Sequence, residues 1–575
     1  MELTNEQQTN SKSSNELMIL AQTKFNQKDY QNALKTYIEI FEANSNQKNS
    51  YLLSQIASCF SLCNDHKNAL DFASEALKIN SNEANVHFII GRSLYYQGLL
   101  SQALLFLESE NHITETFKLL LAYYKSWIYY RTCSINKALK EFESIKNHPD
   151  LNYFMHLEYL LMMHHSESYS DIDINQFAKT IYHKFLQDDE AKLEILKYKN
   201  QHHKNQILEN SNKKQKIRIG LVSKYLNKKS SDACLIPIFS KLNKEKFEFY
   251  SYQLNEYYDD VTKTYESISD KFSLITHGDK INTAKQIIDD EIDILIDSQG
   301  LIIHSSLEIF SLKPAPVQLS IFGYWGSTGL TEMDYLCIRD PYLEKESEDS
   351  YSEVILKLIS YHGTKEKNSK PISLNPFKTN NFITFGSLNR LQKINDEVIN
   401  TWISILQQVE KSKFILSGEA FSDEKFKNTM LNRFLEKGIL QNRLLFLPKV
   451  SSQEYFKLYD HIDICLDTFP FTGSSTTLDA LYAGVPVITL KQNKLASHFS
   501  SIFLKEIQEA ELITSDEKEY INLAIKLAES PQKLEYYRNN LRDKISQTEM
   551  LDIDIFINKF EKELESIYER DKNDQ

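Results

Sequence analysis

Residues 462–490, I-D-I-C-L-D-T-F-P-F-T-G-S-S-T-T-L-D-A-L-Y-A-G-V-P-V-I-T-L, read as one strand–helix–strand unit. The short apolar run 462–466 has strand character and ends at the turn formers around Pro470 and Gly473. Ser474, Ser475, Thr476 and Thr477 are all helix-capping residues, and Asp479 is expected in the first turn that follows. Leu478, Leu481 and Tyr482 recur at helical spacing, Gly484 stops the helix, and 485–490 returns as a buried strand interrupted early by Pro486. A helix that starts just after a strand offers free backbone N–H groups, here with outward hydroxyls, and so forms a ready anion site. An ordinary crossover with a good cap reads equally well from this stretch alone.

At 575 residues the chain is too long for one hydrophobic core, so several domains are expected. With 41% hydrophobic and 25% charged residues it has the composition of a soluble globular protein. A formal net charge of −13 argues against a nucleic-acid protein working by bulk electrostatics. The first fifteen residues are polar and lack the regions of a signal peptide, and no apolar run is long enough to span a bilayer. A cytoplasmic location without a membrane span is the expectation. Of the six cysteines only Cys59 and Cys63 stand close together. No second Cys or His pair matches their spacing, so they are expected to face a helix interior rather than a metal.

Glycine and proline divide the chain. Before Gly220 only Gly91, Gly98 and Pro149 occur, so the first part should be almost wholly helical and the second α/β. Fourteen-residue windows starting at Ala21, Ala57, Gly91 and Ser126 are alike, and each has a second small residue: Ala33, Ala69, Ala103 and Ala138. Those alanines are spaced 36, 34 and 35 residues apart. One small residue per helix where two helices cross closely, repeated in tandem, is similar to the tetratricopeptide repeat, a helix hairpin that stacks into a solenoid with a concave binding face. Asn44, Asn46, Asn80 and Asn82 lie at repeat ends and read as turn residues. Residues 16–150 are taken as the repeat domain and 151–212 as a helical connector, polar and basic at its end.

From Lys216 the pattern changes. Strands are expected at K-I-R-I-G-L-V-S (216–223), F-E-F-Y-S-Y-Q-L (247–254), F-S-L-I-T-H (272–277) and I-D-I-L-I-D (292–297), with a helix over 284–290 and a further strand within 312–329. A second series follows at F-I-T-F-G-S-L-N (382–389), K-F-I-L-S-G (413–418), R-L-L-F-L-P (443–448) and the opening stretch. This makes two Rossmann-like halves, 213–375 and 376–575, with ligands expected at the carboxyl ends of the strands. The amphipathic segment 552–569 is expected to pack back across the first half.

These segments together resemble the bacterial form of the O-GlcNAc transferase family, glycosyltransferase family 41. The resemblance is carried, in the family's order, by R-I-G-L-V-S (218–223), D-I-L-I-D (293–297), L-K-P-A-P-V-Q (312–318), G-Y-W-G-S-T-G (323–329) with M-D-Y (333–335), S-L-N-R-L-Q-K-I (387–394) and the C-L-D-T segment 465–490. It implies an α-solenoid followed by a GT-B fold. It also implies inverting transfer of a sugar, GlcNAc first among them, from a UDP-sugar to Ser or Thr of an acceptor protein presented by the repeats, without metal or other cofactor. Lys393 matches the family's essential lysine and would neutralise the departing diphosphate. Ser474, Ser475, Thr476 and Thr477 match its phosphate-binding helix start, and Asp479 the acidic residue on the ribose. Val450 and Tyr455 fall where the base is held, and Gly323 and Tyr324 on the loop approaching the donor sugar.

The chain also departs from the family. Lys228–Lys229 replace a histidine, Arg390, which could still contact phosphate, replaces a glutamine, and Trp325 stands in the usual G-Y-P-G. Tyr455 and Leu458 replace base-contacting histidine and arginine, and Leu301 replaces another histidine, with His304 three residues on. The departures gather on the acceptor side and around the base, while the phosphate side is kept. No general base is evident. A UDP-hexose-dependent N-glycosyltransferase and a catalytically inactive repeat scaffold remain alternatives, and homo-oligomerisation is left open.

Overall fold

The computed structural model describes residues 13–43, 49–83, 85–109, 115–208, 216–227, 235–275, 279–303, 305–338, 343, 345–358 and 372–574. Lys228, Lys229, His304, Asn44 and Asn46 lie outside the described residues.

The helices up to Glu143 form four hairpins: Ser14–Asn26 with Tyr30–Ala43, Ser50–Leu62 with His66–Ile79, Val86–Tyr96 with Leu100–Leu107, and Glu115–Arg131 with Ile135–Glu143. The small residues of the sequence windows are where the paired helices touch. Ala21, Ala33, Ala57, Ala69, Ala103, Ser126 and Ala138 have no exposed surface. A Cβ on Gly91 would stand 2.6 Å from Leu107 Cγ, and Ser126 Oγ donates to the Ala138 carbonyl at 2.8 Å. Each hairpin turns through one left-handed residue, Lys28, Asn64, Gly98 and Cys133, always five positions before the second small residue. Cys59 is buried in the core of the first two hairpins, as expected, while Cys63 is half-buried at the C-cap of Ser50–Leu62.

The compact unit that holds the repeats also takes in Gly418–Glu436 and Phe446–Lys449. Asp423 joins the two stretches of chain. Its carboxylate accepts the N–H of Lys425 and Phe426 at 3.0 and 3.2 Å, capping the helix Glu424–Leu435, and also the N–H of Ser101 at 2.7 Å in the first turn of Leu100–Leu107.

The second unit begins with the helices Tyr153–His164, Asp171–Ile181 and Asp189–Leu208 and continues into two sheets. The first has β1 (Ile217–Ser223), β2 (Phe247–Gln253), β3 (Lys271–Leu274), β4 (Ile294–Asp297), β5 (Val317–Ile321), β6 (Tyr335–Ile338) and β7 (Val354–Lys357) in the order β3-β2-β1-β4-β5-β6-β7, every pair parallel. The second has β8 (Ile383–Ser387), β9 (Ser412–Ser417), β10 (Leu444–Leu447), β11 (Ile464–Leu466), β12 (Val487–Leu490) and β13 (Ile513–Thr514) in the order β10-β9-β8-β11-β12-β13. Both are doubly wound, with the strand order reversing between the first and fourth strands in chain order. These are the two Rossmann-like sheets of a GT-B fold. The last helix, Ile553–Asp574, sends Phe556, Ile557, Phe560, Leu564 and Ile567 into the core of the first sheet, which fits their helical spacing.

Sequence pattern does not reveal β6, β7 or β13, which span four, four and two residues and carry too few alternations to read. The helix expected from 284 starts earlier, at Lys280, because Asp279 caps it by accepting the Asn282 N–H. The third strand ends at Leu274, and part of the stretch read for it, 276–277, lies outside the described residues. Among the described residues no helix is long and apolar enough to cross a membrane.

Candidate active site

The opening stretch folds as β11, the helix Ser475–Tyr482 and β12, at the point where the second sheet reverses its strand order. Such a reversal splays the loops after two neighbouring strands to opposite faces and leaves a crevice between them. Here the crevice is a small pocket lined by Ser387 at the end of β8 and Asn389 after it, Asp467 after β11, Tyr459, and Thr476 and Thr477 on the helix.

Asp467 organises this crevice. It is buried, and one carboxylate oxygen accepts from Asn389 Nδ2 (3.0 Å), Thr468 N–H (2.9 Å) and Gly473 N–H (2.7 Å). The other accepts from Thr489 Oγ1 (2.8 Å) on β12 and Ser500 Oγ (2.5 Å). Five donors on one carboxylate hold the loop 467–474 in a single shape. Gly473 is the residue that lets the loop close, since a Cβ there would lie 2.3 Å from Thr477 Oγ1.

Lys393 comes to the same loop from the 3-10 turn Leu391–Lys393 after β8. Its ammonium donates to the Thr472 carbonyl at 2.6 Å and lies 4.1 Å from the centre of the Phe471 ring. Burial pushes it down to about 8, against the pull of Asp467 and with a further push from Arg390. The cation, with the exposed Arg390 on the same turn, is therefore held on the loop that leads into the helix start.

The hydroxyls of the capping run are used differently from the sequence expectation. Ser474 is the N-cap, but its side chain makes no capping bond, and Ser475 is exposed. Thr476 Oγ1 donates to Asn389 Oδ1 at 2.8 Å, and Thr477 Oγ1 is 2.7 Å from Ser500 Oγ in the interior. Two of the four hydroxyls thus brace the loop instead of pointing outward. Asp479 is the fifth residue of the helix that Ser474 opens, so it lies beyond the first turn, and it is buried at 4% exposure. Tyr459 donates to the Thr476 carbonyl at 3.0 Å, so Tyr455 donates to the Tyr459 hydroxyl at 2.9 Å. Burial pushes the Tyr455 phenol up to about 12. Val450 precedes Ser451, the cap of the helix Ser452–Leu458 that carries Tyr455.

Gly323 and Tyr324 follow β5, and a Cβ on Gly323 would lie 1.8 Å from the Ser298 carbonyl. Tyr324 is buried, its hydroxyl 2.8 Å from His164 Nε2. Trp325 Nε1–H donates to His164 Nδ1 at 3.1 Å, so Nε2 carries the His164 proton and donates to Tyr324. Trp325 also packs edge-on against Phe471 and Phe499, with centres 4.9 and 5.5 Å apart. The tryptophan that departs from G-Y-P-G thereby joins this loop to the one beneath Lys393.

Sequence reasoning missed His164 and His165, at the end of the helix Tyr153–His164. His165 sits 4.5 Å from the Phe471 ring and is pushed down to about 3 by burial, with Lys393, Lys494 and Arg390 adding to the effect. The imidazole is neutral at ordinary pH. The only sequence signal was two adjacent histidines closing an apolar helix, Y-L-L-M-M-H-H. Among the described residues no group of three His, Cys, Asp or Glu side chains could hold a metal ion.

The family model described as Glycosyl transferase family 41 matches residues 161–361 and 376–560, and the chain belongs to that family. It is 31% identical over 300 residues to a probable UDP-N-acetylglucosamine–peptide N-acetylglucosaminyltransferase SPINDLY of Eustoma exaltatum subsp. russellianum, covering 51% of this chain and 32% of that one. It is 28% identical over 343 residues to the corresponding SEC protein of Arabidopsis thaliana, covering 57% and 34%. The chain thus spans about a third of the length of these curated relatives. A solved structure of a Thermobaculum terrenum O-GlcNAc transferase mutant superposes with a TM-score of 0.67 at 20% identity, covering 97% of this chain and 98% of that one, and shares its fold.

Proposed function

We propose that the chain moves a sugar from a UDP-sugar to Ser or Thr of an acceptor protein, with inversion and without metal, and that GlcNAc is the sugar to test first. The observation that carries this reading is the convergence of Lys393 and the start of the helix Ser475–Tyr482 on one loop beside the pocket at the strand reversal. In a transfer without metal the negative charge that builds on the departing diphosphate falls to protein donors. Lys393 supplies the cation, Arg390 a second, and the N–H groups at Ser475 and Thr476 the fixed dipoles. Tyr455 and Val450 stand for the base, Asp479 for the ribose, and the Gly323–Tyr324 loop for the donor sugar. The concave side of the repeats would offer the acceptor polypeptide.

The test is calorimetric UDP binding with and without Mg²⁺, together with transfer assays over a panel of UDP-sugars, on wild type and Lys393→Ala. Binding that is indifferent to Mg²⁺ is expected, with transfer by the variant reduced on the order of 10²–10³-fold. The thermal midpoint should stay within about 3 °C of wild type. Transfer by Lys393→Ala at the wild-type rate would sink the assignment of the lysine. Absence of UDP binding by wild type would favour a repeat scaffold that has lost its donor.

A further inference from the structure

We infer that Lys494 is a positioning residue of the transfer site, clamping the end of the helix Tyr153–His164 to the loop after β12 so that His164 and His165 stay seated against the Tyr324–Trp325 and Phe471 loops. The inference rests on the reading above that Lys393 meets the donor diphosphate.

Lys494 is 7% exposed, and its ammonium donates to the carbonyls of Met163 (2.9 Å), His164 (3.3 Å) and Ser166 (2.7 Å). An ammonium has three donors, and all three are spent on carbonyls at and just beyond the C-terminus of this helix. The cation also meets the negative end of the helix dipole there. Two further bonds tie the same segments: Leu495 N–H donates to Asp171 Oδ2 at 2.8 Å, and Gln492 Nε2 donates to Glu167 Oε1 at 3.0 Å.

The residues at the clamped end connect it to the cation. His164 has both ring nitrogens engaged, with Trp325 and with Tyr324. His165 fixes Nδ1 to the Leu161 carbonyl at 2.8 Å and lays its ring on Phe471, whose ring also meets the Lys393 ammonium. A continuous series of contacts thus runs from Lys494 through the helix end and Phe471 to Lys393. The pocket between β8 and β11 has none of its lining from 163–171 or 492–495. Lys494 therefore acts on the geometry around Lys393 rather than on the walls of the pocket.

This separation gives the test, made on the full chain with Lys494→Met, which keeps the side chain's length without its donors, and Lys494→Arg, which restores donors. In Lys494→Met, amide hydrogen exchange over 164–168 should quicken by about tenfold or more while that of 475–482 holds. Turnover should fall by about tenfold, as expected when a reacting group is slightly misplaced. UDP affinity should stay within about threefold, a change of under 1 kcal/mol. Lys494→Arg should recover part of the turnover. If Lys494→Met fails to fold, Asp171→Asn, which weakens the neighbouring Leu495 bond, should show the same pattern in smaller measure. Unchanged exchange and turnover would overturn the inference, and so would UDP affinity falling in step with turnover. If wild type itself binds no UDP, the functional reading fails, and exchange alone decides whether Lys494 holds the helix end.

Discussion

The two sheets end their fourth strands in the same way and use the result differently. Asp297 closes β4 and accepts the N–H of Gly300 at 2.7 Å and the hydroxyl of Ser320, its neighbour on β5, at 2.7 Å. Asp467 follows β11 and accepts the N–H of Gly473 at 2.7 Å and the hydroxyl of Thr489 on β12 at 2.8 Å. In both, a buried carboxylate at the strand reversal shapes the next loop by holding a glycine N–H and a hydroxyl from the adjacent strand. After Asp297 the chain runs into the four-residue helix Leu307–Phe310 behind buried Ser306, and a Cβ on Gly300 would meet the Tyr324 side chain at 2.5 Å. After Asp467 it runs into an eight-residue helix whose start opens on a pocket beside a lysine. The difference teaches that the aspartate builds the loop, while the helix start and the cation are what the proposed anion site adds to it.

The hardest test of this comparison exchanges each carboxylate for its amide. Asp467→Asn turns an acceptor of five donors into a group that must donate with one arm. UDP affinity is expected to fall more than about 100-fold, and stability by on the order of 3 kcal/mol in chemical denaturation. Asp297→Asn should lose comparable stability yet leave UDP affinity within about threefold. Equal losses of affinity at both sites would erase the distinction between them.

A pH series sharpens it. Lys393 and Lys494 are both pushed down to about 8 by burial. Each is charged below that value and loses its proton as pH rises through it, and since only Lys393 is given to the diphosphate, its deprotonation should leave UDP affinity flat up to about pH 7.5 and declining above 8. Stability should move the other way. In the unfolded chain a lysine keeps its proton to about 10.4, so between 8 and 10.4 the unfolded state binds more protons and these two lysines make unfolding less favourable as pH rises. Affinity that rises with pH in titration calorimetry would contradict the role given to Lys393.

The smallest effect isolates the shared device. Thr489→Val and Ser320→Ala each delete one hydroxyl donor to an aspartate, and each should cost about 1 kcal/mol in urea unfolding. Neither should change UDP affinity by more than about twofold. A large loss from only one of them would show that the two loops are not built alike.

The repeats were legible because close helix crossing demands a small residue at a fixed interval, and Ala33, Ala69, Ala103 and Ala138 supply it. The turn residues that precede them were not, since only Gly98 among Lys28, Asn64, Gly98 and Cys133 has the side-chain-free backbone that advertises a left-handed conformation. At the candidate site the strand–helix–strand unit could be read, because turn formers and caps are local signals, whereas Lys393 was singled out only by the family resemblance. Asp467 was quoted within a motif, but its five donors come from residues as far apart as Asn389 and Ser500, and no spacing announces that. That Thr477 and Asp479 face inward was not legible for a related reason: which side of a helix faces inward is set by the elements packed on it, here Ser500 for Thr477. His164 and His165 precede the first strand of the α/β region and have no local mark of their association with Tyr324 and Phe471.

Asp423 carries one more consequence. By capping a helix of its own and a helix that begins at Leu100, it makes the repeat unit discontinuous in the chain, with a bond spanning 322 positions. During synthesis the four hairpins emerge long before the segment that completes their unit, and the first turn of Leu100–Leu107 stays without this acceptor until the ribosome has passed β9. A set of repeats exchanged for another by cutting at residue 150 would therefore have to present a helix N–H to Asp423 in the same place. The segment 418–436 belongs to the repeats as one folding unit, however far away it lies in the chain.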